Sequence, residues 1–176
     1  MKKISTKALV QIALLIALDI ILTRFLRIQT PTLRISFGFL PIAIIAMLHG
    51  PMLAGIAGAL GDLIGFMLVP VGTFFPGFTL SAILTGVIYG VFLYDRPKSL
   101  GRIVMIALTM TVCITLVLNT FWLSILFEDA FVVLLLPRFI LAGIMFTLQV
   151  VCIRFAASER FYSLFGGKPA PATTAD

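Results

Sequence analysis

The chain has 176 residues, of which 61% are hydrophobic and 11% charged, with a mean hydropathy of +1.18. A soluble domain of this size carries roughly 25% charged residues, so there is too little polar surface here to cover a water-soluble globule, and the composition indicates one integral membrane domain. The net charge of +6 is explained by the positive bias of cytoplasmic membrane loops better than by affinity for nucleic acid.

A spanning helix takes about 20 mainly apolar residues. Six segments qualify in chain order: 7–23, 37–49, 52–69, 77–94, 102–123 and 137–156. The first follows a basic start but lacks a small-residue cleavage site. It runs instead into Arg24-Phe25-Leu26-Arg27 and is read as a retained helix. Its Ala13 and Ala17 form a small-residue face, which packs internally or meets another subunit. Pro31, between Thr30 and Thr32, opens the first loop. The second segment is short and ends at His49-Gly50-Pro51, a tight turn.

The third segment carries two small-residue ladders at four-residue spacing, Ala54-Gly58-Asp62 and Ala57-Gly61-Gly65. Gly86 and Gly90 repeat the pattern in the fourth, as expected for close helix packing. Between these two segments, Pro70 and Pro76 bound a short loop. Asp95 to Ser99 makes the fourth connection, and Glu128-Asp129 marks the middle of the fifth. Residues 1–165 are thus expected to form a single all-α, six-helix membrane domain. The Pro- and Ala-rich tail 166–176 is expected to be disordered.

Six spans put both termini on one side. Lys2, Lys3, Lys7, Arg96, Lys98, Arg102, Arg154, Arg160 and Lys168 then share that side, against Arg24, Arg27, Arg34 and Arg138 on the other. This bias places both termini in the cytoplasm.

Placed by depth, the ionisable and amide groups gather in the outer half: Asp19, Asp62, Thr79, Ser81, Asn119, Trp122 and Arg138, with Arg138 expected to begin the sixth helix. Charge inside a bilayer is costly and faces a partner or a cavity. Internal pairing, such as Asp19 with Arg24 or Arg138 with Asp62, is one reading. A pocket open to the outside accounts better for the whole set. The loops over that side fit the pocket. One holds Phe74, Phe75 and Phe78 with Gly72 and Gly77; the other holds Arg27 and Arg34 near Phe37 and Phe39. Phenylalanines in a Pro/Gly-bounded loop suit a lid over a flat ligand, and arginines suit carboxylates.

No Walker loop and no H-E-x-x-H are present, and His49 sits in a turn without a catalytic partner. Cys113 and Cys152 fall in apolar segments, outside any metal or redox spacing. No catalytic residue, metal or cofactor is therefore expected. No internal inverted repeat is visible, so a pocket without an energy source would need partner subunits.

The run Leu33-Arg34-Ile35-Ser36-Phe37-Gly38-Phe39-Leu40-Pro41 resembles the substrate-binding S-components of energy-coupling factor (ECF) vitamin transporters. So do Gly50-Pro51 with the ladder to Asp62, the stretch Pro70 to Ala82, and Leu136-Pro137-Arg138. Within that family the likeness is to the folate-specific member. The resemblance implies a modular importer: capture of the vitamin outside, a transmembrane coupling subunit contacted through Ala13 and Ala17, and two cytoplasmic ATPases. Folate would suit the residues. Asp62 and Asn119 could meet the pterin edge, and Trp122 and the loop phenylalanines could stack on its rings. Arg24, Arg27, Arg34 and Arg138 could meet the glutamate tail, with Thr79 beside Asp62. An S-component for another vitamin or pterin-like base, a small membrane enzyme and an assembly subunit are the alternatives.

Overall fold

A computed structural model describes residues 5–29, 34–70, 72–97, 99–127 and 131–158. The turn at Pro31, the Glu128-Asp129 connection and the tail 166–176 lie outside them. The elements in order are helix α1 (Thr6–Arg24), strands β1 (Arg27–Gln29) and β2 (Arg34–Ser36), and helices α2 (Phe39–His49), α3 (Pro51–Leu68), α4 (Pro76–Leu93), α5 (Leu100–Phe127) and α6 (Phe131–Ala156). Among the described residues, five helices are long and apolar enough to cross a membrane, and α2 is an eleven-residue apolar helix beside them. The architecture is nearly all helical, as expected.

Local chemistry sets the boundaries. Ser5 caps α1, its hydroxyl accepting from the Ala8 N–H at 3.2 Å. Pro51 and Pro76 open α3 and α4 at a position where a missing N–H costs nothing. Gly50 joins α2 to α3 with φ of 89°, which a side chain would strain.

Three features differ from the expectation. The first loop is a short antiparallel ribbon pairing Arg27 with Ser36 and Gln29 with Arg34. Its alternating, partly β-branched residues suit extended backbone over a helix end. The sixth helix begins at Phe131 and runs through Pro137, so Arg138 sits two turns inside it rather than at its start. The fifth is one continuous helix, α-helical over Leu100–Thr109, π-helical over Met110–Leu118 and α-helical again over Asn119–Phe127.

The bundle is organised around α2, whose residues Pro41 to Met47 are all buried. A helix apolar on every side belongs at the centre. Helices α1, α3, α4 and α6 pack against it, and the bundle presents Leu14, Met52, Met67 and Ile140 outward, as lipid-facing residues would be. The glycine ladders join α3 to α4. A Cβ on Gly58 would meet the Ala82 carbonyl, one on Gly86 the Ala54 carbonyl, and one on Gly90 the backbone of Pro51. These contacts are backbone on backbone and have no rotamer to yield.

Gly86→Leu is therefore expected to lose at least about 3 kcal/mol, because the overpacked atom meets main chain. Gly101→Leu, where nothing lies within 4 Å, should be tolerated. Thermal unfolding and size-exclusion profiles of the two purified variants in detergent check the contrast.

Candidate ligand-binding site

At one end of the bundle α1, α3 and α5 finish and α2, α4 and α6 begin. From this end a cavity of about 510 Å³ runs inward between the helices, within the range of ligand pockets. Its lining includes Asp19 and Arg24 of α1, Asp62 of α3, Phe74 and Phe75 of the α3–α4 loop, Phe78 of α4, Asn119 of α5 and Arg138 of α6.

The polar wall is held by one ion pair. Arg24 Nη2 donates to Asp62 Oδ1 at 3.2 Å and to the Asp62 carbonyl at 3.0 Å. Thr79 Oγ1 donates to Asp62 Oδ2 at 2.8 Å. Both carboxylate oxygens of Asp62 are thus engaged, and α1, α3 and α4 are tied together. The pair seen is a third combination of the residues considered from the sequence: α3 brings Asp62 to Arg24, in the last turn of α1. Two ladder glycines make this possible. A Cβ on Gly65 would lie 2.8 Å from Arg24 Nε, and one on Gly61 would meet the Asp19 carboxylate. Gly61 and Gly65 thus give room to charged groups of α1, while Gly58 packs on α4.

Arg138 is 6% exposed, and its Nε and Nη1 have no hydrogen-bond partner among the described residues. The same holds for Asn119 Oδ1. Both side chains line the cavity. A desolvated guanidinium with free N–H groups is an anion site, and a carboxylate is its best geometric match.

The aromatic residues form two groups. Phe74 stacks on Phe66 with ring centroids 5.2 Å apart. Phe75 sits between Phe78 at 6.0 Å and Trp122 at 5.7 Å. Trp122 and Thr79 stand behind the lining. Trp122 Nε1 donates to Ser81 Oγ at 3.1 Å, and a Cβ on Gly77 would strike the rings of Phe75 and Trp122. Arg27 and Arg34 belong to the strand pair next to this end; Ser36, at the end of β2, reaches the lining.

The sequence reading gave no weight to the inner half of the lining. There Thr85 and Tyr89 border the cavity from α4, further along the helix than Phe78, Ser81 and Ala82, and Met145 and Gln149 border it from α6, further along than Arg138. Ser81, Thr85 and Tyr89 are spaced four apart, so one helix face carries a hydroxyl on three successive turns. That spacing was the available signal.

The family description "ECF transporter, substrate-specific component" matches residues 7–155. A protein of Clostridium novyi (strain NT) named folate transporter FolT is 46% identical over 153 residues, covering 87% of this chain and 88% of that one. A Leuconostoc mesenteroides protein of the same name is 32% identical over 167 residues, covering 92% and 90%. A crystal structure of FolT bound with folic acid superposes with a TM-score of 0.84 at 37% identity, covering 94% of this chain and 99% of that one.

Asp62→Ala should cost about 3 kcal/mol of stability, because it strands the buried Arg24 guanidinium. Arg24→Met combined with Asp62→Leu should recover most of that loss. Thermal unfolding of the three ligand-free proteins in one detergent measures it.

Proposed function

The chain belongs to the ECF transporter substrate-specific component family, and we propose that it is the folate-capturing subunit of such an importer. It is a multi-pass protein of the bacterial cell membrane. In this reading residues 1–165 are its single membrane domain, 166–176 a cytoplasmic tail, and both termini lie in the cytoplasm. The cavity then opens outward. The protein binds and delivers rather than catalyses, and energy comes from a transmembrane coupling subunit with two cytoplasmic ATPases.

The observation that carries the ligand reading is Arg138, a buried guanidinium lining a cavity of suitable size with two nitrogens unanswered by the described residues. Folate brings two carboxylates on its glutamate tail and two flat ring systems. Arg138 is positioned for one carboxylate, with Arg24, Arg27 and Arg34 as the other cations at that end. Asp62 and Thr79 hold Arg24 in place and, with Asn119, give the wall hydrogen-bonding capacity beside the rings. Phe74, Phe75 and Phe78, backed by Trp122, provide aromatic faces near the mouth for a flat ring of the ligand.

The coupling face is assigned to α1. Ala13 and Ala17 are exposed, beside the exposed Leu9, Val10, Leu14 and Leu18. Small residues flanked by apolar ones let another helix approach closely.

Equilibrium binding of labelled folate to the purified protein should be saturable. Arg138→Gln should weaken it roughly 10- to 100-fold, the worth of a charge-assisted hydrogen bond. A well-folded wild-type protein that binds no folate would sink the reading. Ala13→Leu with Ala17→Leu should bind folate as wild type does yet fail to support energised folate uptake in cells or proteoliposomes carrying the whole transporter.

A further inference from the structure

The cavity has two tiers of polar groups, and the inner one is neutral. At 1.5 Å per residue, Asp62 lies about 9 Å below the mouth end of α3, Asn119 about 12 Å below that of α5, and Arg138 about 10 Å below that of α6. Tyr89 lies about 20 Å along α4, and Gln149 about 27 Å along α6. Both line the same cavity, together with Thr115 of α5 and the thioether side chains of Met110 and Met145. Tyr89 is 0% exposed and Gln149 is 5% exposed. Neither the Tyr89 hydroxyl nor Gln149 Oε1 has a hydrogen-bond partner among the described residues.

Leaving such groups unpaired costs roughly 1–3 kcal/mol each relative to a paired state, so their occurrence together at the end of one cavity calls for an occupant. The chemistry of the tier selects what that occupant presents. A hydroxyl and a primary amide each donate and accept, and neither carries charge. They do not answer a carboxylate as well as the arginines above them do. They suit an uncharged edge on which N–H and C=O groups alternate, bordered by a flat ring that the methionine side chains can touch.

We propose that Tyr89 and Gln149 form a neutral hydrogen-bonding subsite at the inner end of the cavity that reads the N–H/C=O edge of a ligand's heterocycle. The proposal rests on the folate reading of the site. It sets the ligand's direction: heterocycle innermost, charged tail toward Arg138 and the mouth. It also moves the determinants of ring specificity from Asp62, whose two oxygens are taken by Arg24 and Thr79, to a face of α4 and a face of α6.

The test compares folic acid with its 4-amino-4-deoxy analogue, in which the edge C4=O/N3–H pair (acceptor, donor) becomes C4–NH2/N3 (donor, acceptor). Wild type, Tyr89→Phe, Gln149→Leu and Arg138→Gln are each titrated with both compounds, and their ligand-free thermal stabilities are recorded. Wild type should prefer folic acid. Tyr89→Phe and Gln149→Leu should each weaken folic acid roughly tenfold and shrink that preference, whereas Arg138→Gln should weaken both compounds and leave the preference intact. Because Tyr89→Phe removes a hydroxyl, and Gln149→Leu a carbonyl oxygen, that have no hydrogen-bond partner among the described residues, the ligand-free proteins should be about as stable as wild type or more so.

The proposal fails if wild type shows no preference. It fails if the preference survives in both Tyr89→Phe and Gln149→Leu, or if those proteins lose stability without ligand, which would mark the two residues as structural. Any of these results with folic acid still bound tightly by wild type would overturn the subsite alone. Absence of folic acid binding to folded wild type would overturn the folate reading itself.

Discussion

A polar side chain inside an apolar bundle has to be answered by the protein or by something the protein carries, and here the ion pair of Arg24 with Asp62 divides the two cases. On one side of that division the pair closes on itself, save for Arg24 Nε, which has no hydrogen-bond partner among the described residues. The guanidinium reaches both the side chain and the carbonyl of Asp62, and Thr79 takes the remaining carboxylate oxygen. Three helices are thereby fixed at the end where the cavity opens. The closure depends on glycine, since any Cβ on Gly65 would crowd the guanidinium it has to pass. On the other side stand Arg138, Asn119, Tyr89 and Gln149, which border the cavity and keep polar atoms unmatched by the described residues. The matched set builds the wall and the unmatched set is what the wall offers.

That division clarifies the two kinds of small residue in α3. Along one face Gly58, with Gly55 beside it, meets α4 backbone to side chain and backbone to backbone. Such contacts gain dispersion energy without needing a hydrophobic drive, which is weak between helices already in lipid. Along the next face Gly61 and Gly65 meet the charged groups of α1. A single helix thus seals the bundle with one stripe and seats its electrostatics with the other. The two functions share one residue type, glycine, on one helix.

For that reason part of the architecture was legible in the sequence and part was not. Hydropathy located the six apolar segments, and prolines and glycines marked their ends, because both effects are local. The clustering of Asp62, Asn119 and Arg138 about one end also followed from depth alone. Which carboxylate pairs with which arginine did not follow, since it depends on helix rotation that a small-residue ladder leaves open. The strand pair was hidden because three-residue strands carry almost no periodicity. The start of α6 was misplaced because Pro137 reads as a boundary although a helix can continue through proline where neighbouring structure supports it. Tyr89 and Gln149 carry no signal of their own in the sequence because each looks ordinary alone; their significance lies in sharing a cavity wall across two helices.

The π-helical stretch of α5 shows how backbone winding, rather than residue type, completes that wall. Met110, Ile114, Thr115 and Asn119 all line the cavity, whereas Val112, Cys113 and Val117 are exposed on the outside. In a regular α-helix Met110 and Asn119, nine positions apart, would be separated by about two and a half turns and would face opposite ways. Wider i→i+5 winding makes the same interval about two turns, so both can face inward. The weak reach of Thr120 Oγ1 to the Thr115 carbonyl, five residues back at 3.4 Å, follows the same geometry. Had the segment stayed α-helical, Asn119 and Met110 could not both have faced the cavity: with Asn119 beside Arg138, the face seven residues back would carry Val112 instead. The π-turns bring Met110 and Asn119 to one face, and no residue in Met110–Leu118 announces them, since the stretch reads as an unbroken apolar span.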